Sequence, residues 1–335
     1  MFNTVRLEIL TMYKDKNRKF LISLLCCLAT LQSGLRDIDK LPLGNDTPVY
    51  ASSYRVYSLM SWGDLLRGFT FYTGDYEERD LGFPLFVKFT QLFVDDFRFY
   101  MFLTAIIFII PFGTLIYRYV KSYWGIVLSF LIYFVLYSNI VNCFMRQAIT
   151  LGIVLWGVRY ILSSEWKKYF ILLALAFTIH SSAILAVPLY FLPKLNLSKK
   201  WLLLCICASP IFIFNSQYVL SYLASGSVYE NYVDRDSKLP INYILYLTYS
   251  AFLAYVFFDR IRNVANSKLI IAGVFGSILL LPLVAVGNTV LRISYYYTLF
   301  LIPLISLILE NINVNQTTRT LLYICCIIFF SMFII

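Results

Sequence analysis

From about residue 20 onward the chain alternates between apolar runs long enough to cross a bilayer and short polar or charged breaks. The runs predict spans at about 20–34, 99–117, 124–143, 148–162, 201–219, 242–258, 268–287, 292–310 and 320–335. They are continuous rather than alternating at period two, so an outer-membrane barrel is excluded. Two stretches do not fit a simple crossing. "GFPLFVKFTQLFV" is too short and is interrupted by Lys88, which predicts a re-entrant or interfacial helix. The 25 residues from Tyr169 to Pro193 would, in one crossing, leave "KLNLSKK" on the face that basic loops avoid, so a break is predicted at His180–Ser182. The expectation is an all-α, polytopic transmembrane helical bundle of about nine to eleven helices. It forms one domain over 1–335, with an early outer loop at 35–98 carrying short interfacial or re-entrant helices and a second outer loop at 220–241.

Composition agrees with that class. The chain is 60% hydrophobic and 18% aromatic, with a mean hydropathy of +0.74, outside the range of a soluble domain. The net charge of +10 and pI of about 9.1 would point to nucleic acid only if the basic residues formed a soluble patch. They sit instead at the ends of apolar runs, as with Arg118 and Lys121, Lys167 and Lys168, or Arg260 and Arg262. That is positive-inside patterning, and it sets the N-terminus in the cytoplasm. The first apolar run lacks a small-residue cleavage site and is expected to be a retained anchor. Seven cysteines lie in or beside apolar runs with no CxxC pair, and there is a single histidine, so neither a metal nor a cofactor is expected. Walker A and dinucleotide fingerprints are absent.

With this topology Arg36, Asp46, Arg146, His180 and Arg292 map to the outer ends of spans, from well-separated places in the chain. Ionisable groups near membrane depth are costly and raise the odds of a site. Each has a plainer explanation: lipid snorkelling for Arg146 and Arg292, an ion pair with Asp37 or Asp39 for Arg36, a packed polar kink for His180. Several arginines at one face favour a shared anionic ligand, because a guanidinium donates in a bidentate fork to phosphate oxygens and stays charged in a poorly hydrated site. Gln147, beside Arg146, adds an amide. A lipid-linked pyrophosphate is the anion to expect at an outer membrane face. His180 is a candidate proton acceptor or hydroxyl-orienting group. Ser181 beside it makes no hydrolase pair, since adjacent residues cannot set nucleophile and base in triad geometry. The "DID" and "DRD" triplets at 37–39 and 234–236 are weak metal signals in acidic loops. The tyrosines and phenylalanines around them suit sugar stacking and a membrane interface equally.

At four stretches the chain resembles the EpsG/Wzy family of bacterial polysaccharide repeat-unit polymerases. "LRDIDKLPLGNDTPVY" resembles the family's arginine followed by Gly-x-Asp-Thr-x-x-Tyr. "RDLGFPLF" resembles its acidic–x–Gly–aromatic entry to a short helix. "NCFMRQAITLGIVLWGVRYI" resembles its Arg-Gln span start, and "LALAFTIHSSAILAVPLYFL" its Phe-x-x-His-x-Ser-Ala span. The likeness covers 30–195 well and the rest mainly by span count; the spacing from Arg36 to Gly44 is longer than the family's. The resemblance implies a GT-C-like O-antigen or capsule polymerase of the bacterial inner membrane, its site facing the periplasm. Donor and acceptor would be an undecaprenyl-pyrophosphate-linked glycan and a repeat unit on a second such lipid, with a chain-length regulator and a flippase as partners. It assigns Arg36, Arg146, Gln147 and Arg292 to the pyrophosphate, and His180 or Asp46 to the acceptor hydroxyl.

Three alternatives remain open at this stage. They are another polyprenyl-dependent glycosyltransferase or the O-antigen ligase, a flippase or transporter of lipid-linked oligosaccharide, and a glycan acyltransferase. The ligase is disfavoured because the longest loop is early. The transporter is disfavoured because the charges gather at one face and the mid-span positions are apolar.

Overall fold

The computed structural model describes residues 2–38, 46–67, 80–216, 218, 221–222 and 240–332. Asp39, the aromatics Phe69, Phe71, Tyr72 and Tyr76, Tyr229 and Tyr232, and the 234–236 triplet of the second outer loop lie outside them. Every regular element among the described residues is helical, as the apolar runs required. The chain divides into two compact units, 1–184 with 324–335, and 185–323.

The first unit is built on α1 (Phe2–Gly34), α5 (Phe97–Tyr119), α8 (Met145–Leu162) and α9 (Trp166–Ile179), with α6 (Tyr123–Ile132) and α7 (Ser138–Cys143) forming one crossing interrupted by a π-helical turn at Tyr133–Tyr137. By length and composition, Phe97–Tyr119 and Tyr123–Cys143 are able to cross a membrane. Small residues set the closest approaches. A Cβ on Gly152 of α8 would lie 2.3 Å from the Ile107 carbonyl oxygen of α5, so no larger residue allows that crossing without displacing backbone.

Between α1 and α5, three short helices, α2 (Thr47–Leu59), α3 (Trp62–Arg67) and α4 (Gly82–Gln91), gather at one end of the bundle. The expected short helix at "GFPLFVKFTQ" is α4, and Lys88 is there for a local reason. Its ammonium donates to the Tyr57 and Ser58 carbonyls at 3.0 and 2.9 Å, filling acceptors that the end of α2 leaves open. Beneath these helices Tyr54, Tyr57, Leu65, Phe83, Tyr100, Met145 and Ile179 close one hydrophobic core drawn from six elements.

The second unit holds the apolar helices Ile241–Val256, Lys268–Val284 and the crossing Leu291–Asn311. Its interior carries a small hydroxyl cluster, Tyr243 with Ser294 and Thr298 at 3.1 and 2.5 Å, which satisfies polar groups that have no water to turn to. Arg292 belongs to this unit, in the helix Asn288–Thr298.

Candidate active site

The predicted break at His180 is real, and it creates the site. α9 ends at Ile179. His180 is extended (φ −155°, ψ 118°), and a 3₁₀ turn starts at Ser181. A new helical turn begins with backbone N–H groups that have no partner inside it. The Ser181 amide donates to Asp80 Oδ1 at 2.9 Å, while Asp80 Oδ2 lies 2.8 Å from His180 Nδ1. A carboxylate 100 residues away thus caps the turn and holds the imidazole at once.

Asp80 reaches this position because the next residues allow α4 to lie directly on α9. A Cβ on Gly82 would meet Thr178 Oγ1 at 2.3 Å and the Thr178 carbonyl carbon and oxygen at 2.7 Å, so glycine is needed for close approach. Phe83 then enters the core, edge-on to Tyr50, Tyr57 and Tyr100. The acidic–x–Gly–aromatic pattern has one physical purpose, which is to carry a carboxylate to the broken end of α9.

Arg146 completes the cluster. It stands in the first turn of α8, with Nη1 3.8 Å from Asp80 Oδ2 and its guanidinium 5.4 Å from the Phe83 ring centroid and 6.0 Å from that of Tyr50. The Asp80 side chain is only 6% exposed, His180 is 27% and Arg146 37%. A charge that buried persists only when donors surround it. Burial alone would raise the Asp80 carboxyl, but the His180 hydrogen bond and charge, the Ser181 amide and the Arg146 guanidinium outweigh it and hold the group below its usual range. Burial pushes the Tyr50 hydroxyl up, with Arg146 pulling against it by charge and hydrogen bonding.

A second guanidinium sits against the neighbouring turn of α2. Arg36, just past α1, donates through Nη1 to the Ser33 carbonyl and through Nη2 to Thr47 Oγ1 at 3.3 Å. Thr47 Oγ1 donates in turn to the Asn142 carbonyl at 2.7 Å. Thr47, which meets Arg36, and Tyr50, whose ring faces Arg146, lie one turn apart on α2, so the two arginines meet the same helix at successive turns. Burial lowers the Arg36 guanidinium to about 10, still charged at neutral pH. Its Nε is buried with no hydrogen-bond partner.

The sequence-predicted residues are therefore distributed as follows. Arg36, Arg146 and His180 come together at one end of the first unit. Asp46 begins α2, its carbonyl accepting the Tyr50 amide at 3.0 Å, and Gln147 is buried in α8 at 4% exposure. Arg292 lies in the second unit. The carboxylate bonded to His180 is Asp80, which composition left among the acids of the outer loop; the signal that singles it out is its place two residues before Gly82. Chemically, Asp80, His180 and Arg146 offer an oriented imidazole next to a cation, on a base rigid enough to keep both in place.

Residues 19–335, nearly the whole chain, match the model of the EpsG family. Neither a characterised protein nor a solved structure matches.

Proposed function

The chain belongs to the EpsG family, and from that premise we propose that it is a membrane-embedded polysaccharide polymerase. It joins the growing glycan of one undecaprenyl-pyrophosphate lipid to the repeat unit of a second, at the periplasmic face of the inner membrane. The observation that carries this reading is the Asp80–His180 pair set beside Arg146 at the end of the bundle opposite Arg118, Arg159 and Lys168.

In this mechanism Asp80 accepts from His180 Nδ1–H and so leaves Nε2 with its lone pair toward the substrate. Nε2 takes the proton of the acceptor sugar's hydroxyl. That oxygen forms a bond to the donor's anomeric carbon as the bond from that carbon to the pyrophosphate oxygen breaks. The electron pair of the broken bond stays on the pyrophosphate, and the imidazolium returns its proton to the leaving group or to solvent. Charge that accumulates on the leaving oxygen is met by guanidinium groups already in place, which is where electrostatic catalysis is strongest. Arg146 and Arg36 have this role in the first unit. Asp46 and Gln147 position substrate in this scheme without moving the proton.

The test is the polysaccharide ladder of the native host with this gene deleted, complemented by wild type, His180→Ala or Arg146→Ala. A polymerase predicts core carrying a single repeat unit in the deletion strain, a ladder restored by wild type, and none from either variant at normal protein levels. Loss of even the single unit would mean a flippase, a ligase or an enzyme of unit assembly instead.

A further inference from the structure

In the first unit, α5 and α8 pack closely where Ile107 meets Gly152. Further along, a groove of about 160 Å³ lies between them, lined by Pro111, Thr114 and Leu155, with Arg118, Trp156 and Arg159 at its mouth. Pro111, Thr114 and Arg118 repeat at helical spacing, so the groove follows one face of α5 for about 10 Å. Its base is apolar and its mouth is cationic. Among the described residues no carboxylate forms a salt bridge with Arg118 or Arg159; Glu165 in the adjoining turn feels the Arg159 charge but is bonded to Lys168 and Ser163. Arg159 is held in place by aromatic rings, its guanidinium 4.7 Å from the Trp156 centroid and 4.6 Å from that of Tyr160, and it donates to the Tyr160 hydroxyl at 2.9 Å. Trp156 itself is 42% exposed.

We propose that this groove seats an anionic phospholipid, with its phosphate between Arg118 and Arg159 and the start of an acyl chain against Pro111 and Leu155. Both arginines lie in the last turns of their helices, at the end carrying Lys121, Lys167 and Lys168, where basic side chains meet anionic headgroups. Helix-dipole complementation would account for a cation at each terminus. It does not account for an open groove between the helices leading to both, or for an exposed tryptophan at its rim. Free phosphate would need only the guanidiniums. The apolar floor selects a ligand that has a chain as well as a charge. This inference depends on the membrane setting of the helices and not on the polymerase reaction.

The experiment is native mass spectrometry of the full chain in mild detergent, titrated with phosphatidylglycerol, with phosphatidylcholine, and with inorganic phosphate as competitor. The expected result is one phosphatidylglycerol adduct per chain, retained at collision energies that strip phosphatidylcholine and not displaced by millimolar phosphate. Arg118→Gln with Arg159→Gln should weaken it at least tenfold. Thr114→Phe, which keeps both cations and fills the groove from an exposed position, should weaken it similarly. Equal retention of both lipids, displacement by phosphate, or an adduct unaffected in Thr114→Phe would each overturn the proposal. The lipid comparison on wild type decides the matter even if the double variant does not fold.

Discussion

Replacing Asp80 by asparagine changes one atom's chemistry and leaves its volume intact. In the wild type the two carboxylate oxygens have separate tasks, one on the Ser181 amide at 2.9 Å and one on His180 Nδ1 at 2.8 Å. Asparagine has one acceptor oxygen and one donor group. The Ser181 N–H cannot reorient, so the oxygen stays with it and the amide NH₂ faces His180. Nδ1 must then become an acceptor, and the ring proton moves to Nε2, the nitrogen that has to receive the substrate's proton. Geometry survives while the base is lost. A positioned general base is worth about 10²–10⁴ in rate, and a histidine locked in the wrong tautomer loses towards the upper end of that span. At about 1.4 kcal/mol per tenfold, the barrier should rise by roughly 3–5 kcal/mol. The loss of charge-assisted bonding costs about 1–3 kcal/mol of stability, less than most domains hold in reserve.

The assay is conversion of a lipid-linked repeat unit to polymer by purified protein in detergent or nanodiscs, with the yield of monodisperse protein measured in parallel. Asp80→Asn should purify normally and turn over at least a hundredfold more slowly. Asp80→Asn combined with His180→Ala should be no slower than His180→Ala alone, because both changes remove the same proton acceptor. A well-folded Asp80→Asn enzyme within threefold of wild type would refute the reasoning, and so would strict additivity in the double variant.

Four further outcomes follow from the same structure. Gly82→Ala must move α4 away from the Thr178 backbone, and a shift approaching 1 Å at Asp80 should lower the rate about a hundredfold with the protein still folded, read as shortened ladders at unchanged expression. Arg146→Lys keeps a charge but loses the planar fork, so turnover should fall about 10- to 100-fold and Arg146→Ala further; an Arg146→Lys enzyme near wild type beside an impaired Arg146→Ala would assign the residue a charge-only role. Arg292→Ala should reduce turnover in the same assay at normal yield, whereas a full ladder in cells would identify that arginine as a lipid anchor. Because the Asp80 carboxyl titrates below its ordinary 3.8, its stabilising charge is fully present above that pH and is lost as pH falls through the lower folded value. The thermal melts of wild type and Asp80→Asn should therefore differ at pH 7 in favour of wild type and draw together as pH falls from 3.8 through that lower folded value.

The helices of this protein were legible because hydrophobic length is a direct physical requirement. The expected spans at 99–117 and 124–143 stand at Phe97–Tyr119 and Tyr123–Cys143, and the break at His180 followed from charge placement alone. The pairing of Asp80 with His180 was not legible in the same way. Nothing in hydropathy or charge separates Asp80 from the other acids of its loop, since what selects it is a tertiary fact: Gly82 lets α4 touch the backbone of α9 at Thr178. The aromatic–histidine signal marked the receiving end, and the acidic–x–Gly–aromatic signal marked the arriving end, yet only contact between them assigns the carboxylate to the imidazole.

That contact also explains why a charged group tolerates such deep burial at a helix break. A bilayer helix interrupted in mid-course leaves a free amide that hydrocarbon would punish by several kcal/mol. Here the free Ser181 amide is the donor that holds Asp80, and Asp80 in turn keeps a proton on His180 Nδ1 and a counter-charge for Arg146 within 3.8 Å. The break, the buried acid and the histidine each carry a cost taken singly; together they satisfy one another. Removing the amide's partner should therefore loosen the break as well as silence the base. Asp80→Ala is accordingly expected to lose both activity and yield, where Asp80→Asn, which keeps the Ser181 bond, loses activity alone. Equal yields for the two variants would separate the fold of the break from the carboxylate and leave Asp80 a role in chemistry only.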